Sequence, residues 1–336
     1  MSYLYVSEQG SSISFSGNRF HVKYRDDMVK SIPAETLEVI EVFGNVQITT
    51  PCMRECLKRG INIIFYSMHG AYFGRLISTS HVNVSRQRLQ AELGRDEQFR
   101  IQLSKIIIDA KINNQMVLLR RYARTQSMNI QKQISDMQIM RNKIHNNTVD
   151  SIEMIMGYEG MAARTYFQTL GQLIDSDFFF SKRTRRPPLD PFNSLISLGY
   201  SIVMNEIYGR LEGKGLNPYF GFMHSDKEKH PTLASDLMEE WRAVIVDSVA
   251  MSLINGHELA RDDFYTSIEE PGVFLDKKGF TVFVRKIETK LITQTKYLNY
   301  IDYSVSFRRA LDLQINQLVK AMEQRDASLY QPLMIR

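Results

Sequence analysis

The spacing of apolar residues changes once along this chain, near residue 85, and that change constrains the fold more than any other feature. Before it, short runs alternate apolar and polar positions at residues 3–6, 12–15, 19–24, 38–43 and 62–66, with Gly10, Gly17, Gly44, Gly60 and Gly70 between or beside them. A period of two sends successive side chains to opposite faces of a strand, and glycines between such runs mark turns. One short helix is expected within this segment, over residues 51–59. Beyond Val84 the period becomes helical, with long helices expected over residues 92–126 and 129–143. The expectation is an α+β protein: a small N-terminal β domain over residues 1–85, then a large all-α domain over residues 86–336. No internal repeat or low-complexity segment interrupts this division.

At 336 residues, with 43% hydrophobic and 24% charged residues, the chain can bury a substantial core. No apolar run approaches the roughly 20 residues that cross a bilayer. The opening Met1-Ser-Tyr-Leu-Tyr-Val-Ser-Glu8 lacks the basic start and long apolar stretch of a secretory signal. A cytoplasmic protein without a membrane segment is therefore expected. The formal charge of +5 permits a nucleic-acid partner without demanding one. Cys52 and Cys56 lie four apart, but no second cysteine pair accompanies them, so small packing residues are favoured over a zinc site.

Glu159 stands where a lone carboxylate is out of place. On a helix at about 100° per residue, Ile152, Met156, Ala163, Tyr166, Phe167 and Leu170 form one stripe, and Glu159 falls near its middle. Ile155, Met156, Ala162 and Ala163, three and four positions away, offer it no cation. A carboxylate buried there loses solvation worth several kcal/mol unless it is paired or neutralised. Tyr166, two turns on, has a hydroxyl within range of the same region, although core packing is its favoured role.

A second cluster lies downstream. His224 follows the Gly221-Phe-Met approach, and Pro231 favours a helix start. Leu233, Leu237, Trp241, Val244 and Ile245 would bury one face of that helix, while Asp236, Glu239 and Glu240 crowd another. Acidic residues near a helix start also suit the helix dipole, which is the plainer explanation. Ala243 and Val246 continue the Glu239 face, however, so that face is not simply solvated. A buried Glu, a His and a further carboxylate suit magnesium or manganese, and the lack of thiolates argues against structural zinc. From residue types alone two readings stand: a divalent-metal site, or satisfied core polar groups beside a capped helix.

Lys182, Arg183, Arg185 and Arg186 crowd a loop that ends at Pro187-Pro188. They are candidate contacts to DNA phosphates, with Arg242 as a weaker one; a solvated connection explains the loop equally well. Arg120, Arg121 and Arg124 are read as exposed helix surface and Asn193 as structural. His21, His69, His81, His145 and His257 have no acidic partner at ligand spacing, and His230 looks like part of the approach to a helix.

Three segments together resemble a known family. Tyr158-Glu-Gly160 with Ala163-Arg164 and Tyr166-Phe167, then Arg186-Pro-Pro-Leu-Asp-Pro-Phe-Asn193, then Gly221-Phe-Met-His224 followed by Leu233-Ala-Ser-Asp-Leu-Met-Glu-Glu-Trp-Arg242, look like three signatures of the universal CRISPR-associated integrase family. Their order and spacing extend the likeness over essentially the whole chain. The resemblance implies a metal-dependent DNA endonuclease and spacer integrase, in which a 3′-hydroxyl attacks a phosphodiester at a repeat. It implies Glu159, His224 and Glu239 as ligands of Mg2+ or Mn2+, with Asp236 as an accessory catalytic acid. Glu239 stands where many relatives carry Asp, which leaves Asp236 in contention as the third ligand. The resemblance also implies a homodimer formed through the β domain, and protospacer and repeat DNA as partners. A further expected partner is the small second CRISPR-associated protein, and the overall character is that of type I systems. Two other functions remain open from the residues: a non-catalytic helical DNA-binding scaffold, and an unrelated metal-dependent phosphodiesterase.

Overall fold

The computed structural model describes residues 2–25, 27–79, 82–146, 148–185, 187–266 and 271–336, so His81 and Arg186 lie outside the described residues. Contacts divide the chain into two compact units, Met1–Val82 and Asn83–Arg336.

The first unit holds eight described strands: β1 (Ser2–Val6), β2 (Ser12–Ser16), β3 (Arg19–Tyr24), β4 (Asp27–Pro33), β5 (Leu37–Phe43), β6 (Gln47–Ile48), β7 (Asn62–Tyr66) and β8 (Tyr72–Leu76). They form two four-stranded sheets, in the orders β1-β5-β7-β8 and β4-β3-β2-β6. Parallel pairing of β1 with β5 and of β5 with β7 needs crossovers, and helix α1 (Thr50–Arg59) supplies the second. The Thr49 side chain accepts the Cys52 N–H at the start of α1, and Pro51 occupies its first turn. Gly60 closes it at φ +69°, a left-handed conformation that glycine enters without a Cβ penalty. Cys52 and Cys56 face inward and share a core with Leu4, Ile13, Phe20, Ile40 and Ile63. Both thiols are free, as expected of packing residues.

The second unit is mainly helical. The single helix expected over residues 92–126 is two, α2 (Val84–Leu93) and α3 (Glu97–Thr125). The apolar period passes across the break, but Gly94 ends α2 and Asp96 starts α3 by accepting the Phe99 N–H at 3.0 Å. Helices α4 (Gln131–Ile144), α5 (Ile152–Gln172) and α6 (Pro191–Gly213) follow. At the start of α6 the Asp190 carboxylate accepts the Asn193 N–H at 2.8 Å, with Pro191 in the first turn. Helix α7 (Thr232–Met238) leads to a wide π-helical turn at Arg242–Asp247, and α8 (Ser248–Asn255) continues from it. After that come a two-stranded ribbon of β9 (Phe264–Thr266) with β10 (Val273–Leu275), and α9 (Lys277–Ile292). A second ribbon of β11 (Gln294–Thr295) with β12 (Val305–Ser306) precedes α10 (Phe307–Glu323). These two ribbons are the departures from a purely helical unit among the described residues.

Helix α3 runs through the middle of this unit, with Leu103, Ile107, Ile108, Ile112 and Leu119 fully buried. The face of α5 turned toward the core carries Ile155, Ala162, Tyr166, Thr169 and Leu170. It lies about one position round the helix from the stripe read in the sequence, and Glu159 sits on it between Ile155 and Ala162. Trp241 is fully buried and its indole N–H donates to Gln314 Oε1 at 2.8 Å. Among the described residues no helix is long and apolar enough to cross a membrane.

Candidate metal and phosphoryl-transfer site

Glu159 does have a cation, and it comes from another helix. Lys111 on α3 extends its Nζ to 2.5 Å from Glu159 Oε1 and 2.5 Å from Glu239 Oε2. All three side chains are nearly enclosed, at 10%, 13% and 5% exposure, so these charges interact through little water. Arg242 brings its Nε to 3.0 Å from the same Glu239 oxygen. The other Glu239 oxygen lies 3.9 Å from His224 Nε2. Glu239 thus links the other two, its Oε2 sharing the Lys111 ammonium with Glu159 and its Oε1 facing His224 Nε2.

Asp236 has a different place. Its carboxylate accepts the backbone N–H groups of Phe222, Met223 and His224, at 2.7, 2.9 and 3.1 Å, and its Oδ1 lies 2.7 Å from His224 Nδ1. Three backbone donors and an imidazole consume its acceptor capacity. It fixes the loop carrying His224 and turns the opposite ring nitrogen toward Glu239. Gly221 makes the close approach possible, because a Cβ there would meet Thr232 Cγ2 at 2.4 Å and Asp236 Oδ2 at 2.9 Å.

Two adjacent acids lie in the turn between α7 and the π-helical segment and take different partners. Glu239 faces Lys111 and His224, whereas Glu240 accepts the Tyr330 hydroxyl at 2.6 Å and the Leu333 N–H at 2.8 Å. Glu240 therefore belongs to the packing of the C-terminal segment.

Electrostatics sharpen the division. Burial opposes ionisation of Glu239, but Arg242, Lys111 and His224 outweigh it and hold its carboxyl down at about 2. Burial disfavours charge on His224 as well, and the hydrogen bond and charge of Asp236 more than offset this, raising its affinity for a proton. Lys111 behaves in the same way, its burial outweighed by Glu239 and Glu159. Behind the cluster, the Arg242 guanidinium lies 4.6 Å over the Tyr200 ring. The Tyr200 and Tyr166 hydroxyls both donate to Asp247, at 2.5 and 2.7 Å. Burial lifts the Asp247 carboxyl to about 6 despite those bonds. Tyr166 thus bonds a buried acid one layer away from Glu159.

The basic residues divide by exposure. Lys182 and Arg185 are exposed. Arg183 instead folds back onto α6, donating to Asn193 Oδ1 at 2.9 Å and Ser197 Oγ at 3.0 Å. Asn193 holds the base of this loop, as its Nδ2 donates to the Lys182 carbonyl at 2.9 Å. Arg242 is turned inward, between Glu239 and Tyr200. His145, assigned no partner from local spacing, has Asp109 of α3 at 2.7 Å from its Nε2.

Lys111 is the residue that sequence reading missed. Its signal is the mirror image of Glu159: a lone cation with Ile107 and Ile108 before it and Ile112 after it on a buried helix. Among the described residues no three His, Cys, Asp or Glu side chains close into a ready-made metal cage. Lys111 fills the position between Glu159 and Glu239, and His224 flanks the far oxygen of Glu239.

The model of the family "CRISPR associated protein Cas1" matches residues 4–289 of the chain. A CRISPR-associated endonuclease Cas1 of Mycobacterium tuberculosis is 37% identical over 324 residues, covering 96% of this chain and 94% of that one. Another of that name, from Methanospirillum hungatei, is 31% identical over 93% of this chain and 85% of its own length. A chain in the solved Cas6-RT-Cas1–Cas2 complex superimposes with a TM-score of 0.84 at 26% identity, over 98% of this chain and 36% of that larger one. A casposase bound to its integration product gives 0.85 at 19% identity, over 98% and 93% of the two chains, a likeness of fold alone.

Proposed function

This chain belongs to the Cas1 family, and from that premise we propose that it is a divalent-metal-dependent DNA endonuclease and integrase of CRISPR adaptation. The observation that carries this reading is the run of contacts from Glu159 through the Lys111 ammonium to Glu239, with His224 Nε2 beside the other Glu239 oxygen. Two carboxylates and an imidazole are hard and borderline donors, which suit magnesium or manganese. Glu159, Glu239 and His224 Nε2 would hold the ion, with Lys111 leaving the position it fills. An ion held there would supply Lewis-acid chemistry: activation of an attacking hydroxyl, polarisation of the scissile phosphate and stabilisation of the leaving 3′ oxygen.

The protein's own groups prepare that chemistry. Asp236 holds the His224 ring by Nδ1, so Nε2 stays aimed at Glu239. Arg242 and Lys111 keep Glu239 ionised at neutral pH. A displaced Lys111 ammonium remains beside the site as a partner for a phosphate oxygen. The nucleophile is the 3′-hydroxyl of a captured DNA fragment and the target a phosphodiester at the edge of a repeat; water in its place gives hydrolysis. Exposed Lys182 and Arg185 sit in a loop suited to DNA phosphates. The solved Cas6-RT-Cas1–Cas2 complex supports the small second CRISPR-associated protein as a partner; a homodimer and a cytoplasmic location belong to the same proposal.

The test combines the protein with a repeat-bearing plasmid and a short duplex with free 3′ ends, in manganese or in EDTA. Joined products in manganese alone, lost in Glu159→Ala and His224→Ala, are expected. Joining retained by either variant would overturn the assignment. DNA binding without metal-dependent joining or cleavage would mean a scaffold, and hydrolysis of free nucleotides alone an unrelated phosphodiesterase.

A further inference from the structure

A cavity of about 400 Å3 opens where α3, the π-helical turn, the end of α9 and the start of α10 meet. None of Lys111, Glu159, His224 and Glu239 lines it. Every ionisable side chain in its wall is a cation or a tyrosine: Arg121, Lys290, Lys296, Arg336 and Tyr297. No Asp or Glu side chain lines it, and none of its four cations has an ion-pair partner among the described residues. Arg121, Lys296 and Arg336 are exposed and Lys290 is half-buried; grouped cations repel one another, so an anion placed among them is favoured. Lys290 shows the strain directly: burial, with Arg121 alongside, pushes its ammonium down to about 8.

The floor is aromatic. Phe307 lies under the Lys290 ammonium at 5.0 Å, and Tyr297 stacks near it with ring centroids 6.3 Å apart. Thr293 and Gln294 add hydroxyl and amide groups at the rim. An adjoining cavity of about 270 Å3 shares Arg121, Lys290 and Thr293 and lengthens the space. A bare inorganic anion leaves such a volume mostly empty, and a purely apolar ligand leaves the cations unmatched. A flat ring joined to a phosphate satisfies both, and the size lies within the range of small-molecule sites, roughly 300–1,000 Å3.

We propose that this cavity is a nucleotide site, outside the Glu159–His224–Glu239 cluster, that takes a 5′-phosphorylated nucleotide either free or at the end of a DNA strand. The cations hold the phosphate, and Tyr297, backed by the buried Phe307, receives the base. The inference rests on the cavity's own chemistry and does not depend on the metal-site assignment.

Titration calorimetry on the full-length chain in EDTA tests it, with thymidine 5′-monophosphate, thymidine, and one oligonucleotide with and without a 5′ phosphate. The monophosphate should bind saturably, and thymidine about ten-fold or more weaker, since a charge-assisted hydrogen bond is worth roughly 1.5–3 kcal/mol. Lys290→Met and Arg121→Gln should weaken the monophosphate by a similar factor with unchanged melting temperature. Should either fail to fold, the exposed Lys296→Gln serves in its place. A 5′ phosphate that tightens oligonucleotide binding, sensitive to the same variants, identifies the strand end as the source; an oligonucleotide indifferent to it identifies the free nucleotide. Absence of saturable monophosphate and oligonucleotide binding overturns the proposal. So does binding that all three substitutions leave unchanged.

Discussion

Asp236 grips His224 at two points, accepting its backbone N–H at 3.1 Å and lying 2.7 Å from its ring Nδ1. One carboxylate thereby fixes both where the residue sits and which ring nitrogen faces Glu239. Asp236→Asn loses the negative charge and one acceptor while keeping the shape. Metal-dependent joining should fall by about 10–100-fold, the usual cost of removing such a supporting partner. Manganese titration by calorimetry should show a matching loss of affinity. Unchanged affinity would mean that the ring holds its orientation without the acid.

Lys111→Met should expose the cost of leaving buried Glu159 without its cation and Glu239 with Arg242 alone, about 3–5 kcal/mol of stability. Manganese should then raise the melting temperature of the variant more than that of the wild type, because the ion meets no competing ammonium. Equal shifts in the two proteins, read by differential scanning calorimetry, would show that the ion and the ammonium do not share a position.

Two buried acids give a distinctive pH profile. Burial raises the Asp247 carboxyl from 3.8 to about 6 and Glu240 from 4.5 to about 7. The folded state then binds these protons more tightly than the unfolded chain does. Their stabilising contribution is complete below the unfolded values and is lost as pH rises through the folded ones, from roughly pH 4 to pH 7. Asp247→Asn and Glu240→Gln should each flatten that slope in urea unfolding measured at half-unit pH steps. A slope identical to wild type in both variants would count against protonated carboxyls at these positions.

The loop cations should separate into two kinds. Lys182→Gln with Arg185→Gln removes two exposed charges and should lower the slope of log affinity against log salt by about 1.8 on duplex DNA. The melting temperature should stay unchanged. Arg183→Gln breaks its bonds to Asn193 and Ser197 and should lower the melting temperature by several degrees, consistent with about 1–2 kcal/mol. Equivalent behaviour by all three positions would remove the distinction.

Local signals carried much of the architecture. Alternating runs gave β1, β2, β3, β5 and β7 of the first unit but not β4, β6 or β8, and a glycine after residue 59 placed the end of α1. The helical period of residues 152–170 put Glu159 on a buried face, although the buried stripe is centred about one position away. The break at Gly94 was harder to see, because the apolar period continues through it and only the cap chemistry marks it. Asp236 and Glu239 were visible as a crowd of acids, but not their separate tasks. Those depend on a loop twelve residues upstream folding back to present three N–H groups to Asp236.

Periodicity and residue type by themselves determined which side chains must be buried, and therefore that a carboxylate at 159 needed a counter-charge. Tertiary structure alone decided what supplies it, because Lys111 is 48 positions away and reaches Glu159 only where α3 packs against α5. Burial is a local property that amphipathic patterns encode along the chain. Pairing across helices depends on packing angles and register, which no local spacing contains.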